Sequence, residues 1–275
     1  MENINIVYCI CLENRKSHMI KFFQKMNIKN VLYIYPVLGS NLSEKYDIND
    51  LINENYITED HNLYKDKDFN YNKLANTLTF INLLKQFLLT DFDNCLIFED
   101  DLKIPNDNEL FVINNRIKLL FNKINDNWQY INLGRCWDRS CIKKKTYKDS
   151  YFEIDHCSPV CTHAIILKKK IAKYLIENTL PLKYPKDNTW RNIVHLNKDW
   201  KNYAYCTIPA IFYQDRDTHE STLKLNSKNP NECNGISKYI TKFKYKNPFN
   251  YNILMNKIIS TLLIILVFKL FQTFY

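Results

Sequence analysis

Three consecutive carboxylates, Glu99, Asp100 and Asp101, close the apolar run Cys95, Leu96, Ile97 and Phe98. Adjacent carboxylates repel one another, so the triplet calls for a positive counterpart. A hard divalent cation suits it, because carboxylate oxygens are preferred ligands of Mg²⁺ and Mn²⁺. The apolar run, bounded by Asp93 and Asn94, reads as a short buried strand. That puts the acids at the strand's C-terminal end, where open α/β sheets place their ligands. The competing reading is a solvated acidic turn. For Glu99 or Asp100 singly, it is a partner for a nearby Lys or Arg.

The elements around the triplet follow from periodicity. Residues 4–12 read as a strand, and residues 13–17 as a turn. A helix then runs to about Met26, with Ser17 as its cap and Met19, Ile20, Phe23 and Met26 on one face. Residues 31–35 give a second strand, so the opening implies a parallel sheet with a crossover helix. Residues 41–71 are polar and read as a long loop. Residues 73–89 carry the stripe Leu74, Leu78, Ile81, Leu84, Leu88 and form the clearest helix. A helix over 109–124 and strands over 128–133 and 149–154 follow. Residues 160–167 are apolar around Thr162 and His163, ahead of a helix over 168–177. Asp187 is placed to cap a further helix. Residues 203–212 are the last core strand, and Pro209 within it suggests an edge or a bulge.

Composition narrows the classes. The 275 residues suffice for one sizeable α/β domain or two small ones. With 46% hydrophobic and 14% aromatic residues the chain is not disordered, and 3 Gly and 8 Pro exclude collagen-like or linker-rich architecture. The formal charge of +9 suits an anionic partner. Yet the lysines are scattered, and clusters at 143–145 and 168–170 come with no zinc finger, RNA-recognition signature or basic-aromatic stripe. Solvated faces account for them, and nucleic acid is not expected as a partner. The nine Cys have no CxxC pair; Cys9, Cys11, Cys95 and Cys206 lie in apolar stretches and should pack as small hydrophobes in a reducing compartment.

Several stretches, in order, carry a family likeness across residues 4–221. They are Ile10-Cys11-Leu12 with Arg15, then Leu96-Ile97-Phe98-Glu99-Asp100-Asp101, then Thr162-His163-Ala164 followed by Ile165-Ile166-Leu167. Tyr184-Pro185-Lys186-Asp187 follows, and Pro209 with Gln214 and Ser221 completes the series. With these motifs the chain resembles glycosyltransferase family 25, the lipopolysaccharide and procollagen galactosyltransferase group. It departs from that family at His18, where a second Arg is usual. A second departure is Ala75-Asn76-Thr77-Leu78-Thr79-Phe80, which lacks the family's Gly and His.

The resemblance implies an α/β fold of GT-A type: a Rossmann-like, mostly parallel sheet flanked by helices in a single domain, residues 1–221. A polar basic extension, 222–252, and a hydrophobic tail, 253–275, follow. It implies a metal-dependent inverting glycosyltransferase, using Mn²⁺ or Mg²⁺ to move a sugar from a nucleotide-sugar donor, UDP-sugar first, to a hydroxyl on a glycan or protein acceptor. In such an enzyme Asp101 is the first metal ligand, and Glu99 ligates directly or through water. His219 is a further ligand, with Asp215 and Asp217 competing for that role. Arg15, Asp100 and His163 would bind the donor: Arg15 at the diphosphate, Asp100 at the ribose, His163 in the substrate pocket. Asp187 would be the catalytic base. Their plain alternatives are a surface turn for Arg15, a satisfied core imidazole for His163, an exposed loop for His219 and an N-cap for Asp187. The alternative function is a non-catalytic sugar- or nucleotide-binding relative that has kept the fold.

The start of the chain leads straight into a strand-like run, so no secretory signal is expected. The apolar segment of the tail, from Ile258 to Phe274, has Lys246 and Lys257 ahead of it and Lys269 within it. It is a candidate membrane anchor that would leave the domain on the cytoplasmic side; the competing reading is a last helix packed on the domain.

Overall fold

A computed structural model describes residues 4–61, 70–134, 145–148, 152–156, 159, 161–215, 218 and 219. All of these belong to one compact unit, Met1–Leu225. Strand β1, Ile6–Ile10, is buried along its whole length and is followed by a single 3₁₀ turn and helix α1, Lys16–Lys25. Strand β2, Val31–Ile34, pairs parallel with β1, as the strand–helix–strand opening predicts. The cap of α1 differs from expectation: Arg15 holds the cap position with no side-chain hydrogen bond to the helix's own first turn, and Ser17 lies inside the helix.

The polar stretch expected as a loop instead holds two short helices, α2 (Gly39–Lys45) and α3 (Ile48–Asn53). Asp47 and Asp50 close a reciprocal capping box at the start of α3, and Leu51 anchors it against Ile57, Leu74 and Leu182. Helix α4, Tyr71–Leu88, starts at Asn70, whose side chain accepts from the backbone N–H of Asn72. Its buried face is wider than the leucine stripe, taking in Phe80, Leu83 and Phe87. Thr77 and Thr79 are buried there because each hydroxyl donates to the carbonyl four residues back, 2.8 Å away in both cases.

Strand β3, Asn94–Glu99, carries the apolar run, and α5, Asp107–Lys123, follows behind a capping box of Asn106 and Glu109. The remaining elements are β4 (Tyr130–Asn132), β5 (Lys145–Lys148), β6 (Glu153–Asp155), β7 (Ala164–Lys168), α6 (Lys169–Thr179), α7 (Lys186–Trp190) and β8 (Ala204–Ile208). A π-helical turn, Arg191–Leu196, continues α7.

Among the described residues the strands form one sheet in the order β2-β1-β3-β7-β4-β8-β6-β5. Three neighbouring pairs are parallel and four antiparallel, because β6 and β7 run against the other six strands. The sheet is therefore mixed, with a reversed strand at its centre. Strand β8 lies inside it, and Pro209 falls just beyond its end, so the proline marks neither an edge nor a bulge.

Alternation along β3 builds the layers. Leu96 and Phe98 pack with Met19, Phe22 and Phe23 of α1 and Ile113, Ile117 and Leu120 of α5. Cys95 and Ile97 pack on the other face with Phe80, Leu83, Leu84 and Phe87 of α4 and Ile171 and Leu175 of α6. Cys9, Cys11, Cys95 and Cys206 are free and buried, as expected of small hydrophobes, whereas Cys161 is disulfide-bonded and does not fit an all-thiol chain. No helix among the described residues is long and apolar enough to cross a membrane; the tail at 253–275 lies outside them.

Candidate functional site

The parallel pairing of β1 with β3 sets Ile10 opposite Glu99, so both strands end at the same edge of the sheet. There the chain after β1 meets the triplet. The backbone N–H of Leu12 donates to Asp100 Oδ2 at 2.8 Å, and Arg15 Nη1 donates to Asp100 Oδ1 at 2.9 Å. Both side chains of this ion pair are largely shielded, 12% and 13% exposed. Asp100 continues the face of Leu96 and Phe98, while Glu99 continues that of Cys95 and Ile97, because successive side chains in a strand point to opposite faces. Repulsion within the triplet is thus relieved by divergence. Glu99 Oε1 meets Lys186 Nζ at 3.4 Å on its own side. Asp101 is 6% exposed, and its two carboxylate oxygens accept from Gln214 Nε2 at 3.2 and 2.9 Å. Its carbonyl accepts from Asp215 N at 2.6 Å, beside the Leu102–Gln214 bridge.

Lys186 was no candidate in the sequence, yet it organises the Glu99 side. It is 3% exposed, and its ammonium sits 3.2 Å from the centroid of the Phe80 ring and 5.6 Å from that of Trp190. Asp187 Oδ1 lies 3.8 Å from the same nitrogen. Burial pushes the Lys186 amine below its usual range, and Glu99 and Asp187 oppose that. Asp187 goes the other way. Burial raises its carboxyl above the ordinary aspartate range and Glu99 adds to this, while Lys186, Thr162 and Lys73 hold it down. Its side chain keeps 37% of its area in contact with solvent.

Asp187 lies in the first turn of α7, whose cap position is Pro185. Its carboxylate accepts from Thr162 Oγ1 at 2.9 Å, so a tertiary contact replaces the expected N-cap role. Thr162 and His163 lead into β7, and since β7 runs against β3, they stand at the same edge as the triplet. The carbonyl of His163 accepts from Glu99 N at 3.0 Å. The ring is 2% exposed and donates from Nε2 to the Phe212 carbonyl at 3.2 Å. Gly134 makes room for it: a Cβ there would lie 2.4 Å from His163 Nε2.

His219 is drawn to a different set of partners from Glu99 and Asp101. It joins His18, in the first turn of α1, and Asp215, with one ligand atom from each within 4.8 Å of the others. The two imidazole rings meet edge to face, 4.3 Å between centroids. His18 donates from Nε2 to the Leu102 carbonyl at 2.6 Å. His219 N donates to the Asp215 carbonyl at 2.9 Å, and Thr218 N donates to Asp215 Oδ1 at 3.2 Å. Burial, then His18 and Arg15, lower the His219 imidazole below its ordinary range, against Asp215 and Asp100.

The carboxylates of the triplet have partners within the protein. Glu99 faces a lysine, Asp100 faces an arginine and a backbone amide, and Asp101 faces an amide, all from the protein itself. Among the described residues no group of three metal-ligating side chains includes Glu99 or Asp101. Asp217, the other residue considered for this role, lies outside the described residues.

Arg15, the triplet, His163, Asp187, Gln214 and His219 are therefore brought to one edge of the sheet. Lys186 and His18 are the additions. Lys186 stood within a quoted motif as a spacer, and His18 stood only as a departure from a family pattern; no local signal marks either as a member of the site. Compared with protein-family models and with curated proteins, the chain matches none.

Proposed function

We propose that this edge of the sheet is the site of a metal-dependent inverting glycosyltransferase, moving a sugar from a nucleotide-sugar donor, UDP-sugar first, to a hydroxyl on a glycan or protein. One observation carries the reading. Residues far apart in the chain, Arg15, Glu99 to Asp101, Thr162, Asp187 and Gln214, join in one contact network where α/β sheets bind ligands. Their order is that of the motifs resembling family 25.

The roles follow from the chemistry. Arg15 stands beside Asp100, and the planar fork of a guanidinium suits a diphosphate. Asp187 is the base for the acceptor hydroxyl. A carboxyl raised toward neutrality accepts a proton more readily than an ordinary aspartate, and its partial exposure leaves it reachable. Lys186 holds that carboxylate in place and limits its rise. A bound divalent ion would supply Lewis-acid neutralisation of the leaving diphosphate.

A second reading, a non-catalytic relative that binds nucleotide or sugar, is favoured by the same ion pairs, since Lys186 and Arg15 already neutralise Glu99 and Asp100. Release of nucleotide from a panel of nucleotide sugars, with and without divalent metal and acceptor, separates the two. Asp187→Asn should lower turnover by about 10²- to 10⁴-fold, the range for loss of a general base, with donor affinity nearly unchanged. Binding of a donor without turnover by the wild type selects the second reading. Equal losses of affinity and rate in Asp187→Asn remove it from the base role.

A further inference from the structure

We infer that His18, Asp215 and His219 bind one nitrogen-preferring transition ion of the Zn²⁺ class, and that this cluster rather than the acidic triplet holds the metal at this edge of the sheet. The ion's use in transfer rests on the function proposed above; its binding does not.

The donor set selects the ion. Two imidazoles and one carboxylate suit Zn²⁺, Fe²⁺, Co²⁺ or Ni²⁺, whereas Mg²⁺ prefers oxygen ligands alone. Three protein ligands of this kind leave a position open for water or substrate, as in catalytic zinc sites built from two His and one acid.

The geometry is prepared for it. A carbonyl can only accept, so the Leu102 oxygen 2.6 Å from His18 Nε2 fixes the proton on that nitrogen. In the neutral ring Nδ1 then carries the lone pair, and a backbone carbonyl holding the far nitrogen is how metal-binding histidines are usually oriented. His219 Nε2 is buried with no hydrogen-bond partner among the described residues, which costs free energy unless something binds it. Asp215 is anchored through its backbone to Asp101, and the backbone N–H of His219 donates to the Asp215 carbonyl, tying the two ligands together. One ligand atom from each of the three residues lies within 4.8 Å of the other two. Tetrahedral donors about 2.1 Å from an ion are about 3.4 Å apart, so small side-chain rotations close the site. Asp100 acts electrostatically on His219, so a second carboxylate stands near to balance the ion's charge.

Full-length protein stripped with a chelator and titrated with Co²⁺ tests this. The expected result is one equivalent bound, with the intense visible absorption of a four- or five-coordinate ion, displaced by Zn²⁺ and not by excess Mg²⁺. His18→Ala, Asp215→Ala and His219→Ala should each weaken binding by about tenfold or more, while Asp101→Asn changes it by less than about twofold. Thermal unfolding checks each variant, and His→Asn replaces any His→Ala chain that does not fold. Absence of stoichiometric binding, binding untouched by the three substitutions, or an Asp101→Asn loss as large as that of His18→Ala overturns the site. Metal bound as described without nucleotide-sugar turnover overturns the proposed function and leaves the site standing. Metal-dependent turnover that survives His18→Ala does the reverse.

Discussion

Lys186 is the residue on which the chemistry of this edge turns. A buried ammonium between Glu99 and Asp187, with an aromatic ring beneath it, lowers the cost of two nearby carboxylates. Lys186→Met should therefore raise the Asp187 carboxyl further, since the cation is what holds it down. A ¹³C NMR titration of the aspartate carboxyls reads this directly; an unchanged or lowered Asp187 midpoint contradicts it. The sign carries through to stability. A carboxyl raised in the folded state weakens folding above its folded midpoint, and the penalty fades as pH falls below its unfolded value. The penalty at neutral pH should thus be larger in Lys186→Met, provided the lost burial cost of the amine is measured separately at acid pH. Sequence foresaw part of this. A basic partner for Glu99 or Asp100 was the reading that competed with a metal, and Lys186 and Arg15 are such partners. Which of 38 Lys and Arg residues would do so was not legible, because contacts 85 and 87 residues apart leave no local pattern.

At the scale of elements, strong periodicity was enough: β1, β2, β3, α4 and α5 stand close to where the apolar patterns put them. Helices α2 and α3 were missed because their few apolar residues are spread through a polar stretch, and the Asp47–Asp50 box lacks the usual Glu or Gln. The helix starts make testable statements. Asn106→Ala removes one half of the α5 capping box and should cost about 1 kcal/mol in urea unfolding; no change would show that Glu109 alone suffices. Gly134→Ala should cost more, about 1–3 kcal/mol, because its Cβ meets the His163 ring within a packed core. A neutral result would mean the ring moves aside freely, and the sheet edge would be looser than described.

Over the whole molecule, strand order was the feature least open to prediction. Strand β7 inserts between β3 and β4 and runs against both, a non-local choice that periodicity cannot encode. That insertion carries Thr162 and His163 to the triplet, so the site depends on it. The three core clusters draw on residues from Ile6 to Phe212. A chain ending at Leu225, the end of the compact unit, should accordingly unfold in a single cooperative urea transition; a broad or absent transition would contradict a self-contained core. The central claim is that this sheet edge binds a nucleotide sugar. Thermal unfolding of the full chain against a panel of nucleotide sugars, with Zn²⁺ or Mn²⁺ present and with Arg15→Ala in parallel, addresses it most directly. A bound donor stabilises the folded state in proportion to the logarithm of its concentration over its dissociation constant. The account predicts that at least one nucleotide sugar raises the wild-type midpoint in this way and that Arg15→Ala, still folded, loses the response. A wild type indifferent to every donor, or a response unchanged in Arg15→Ala, would contradict it.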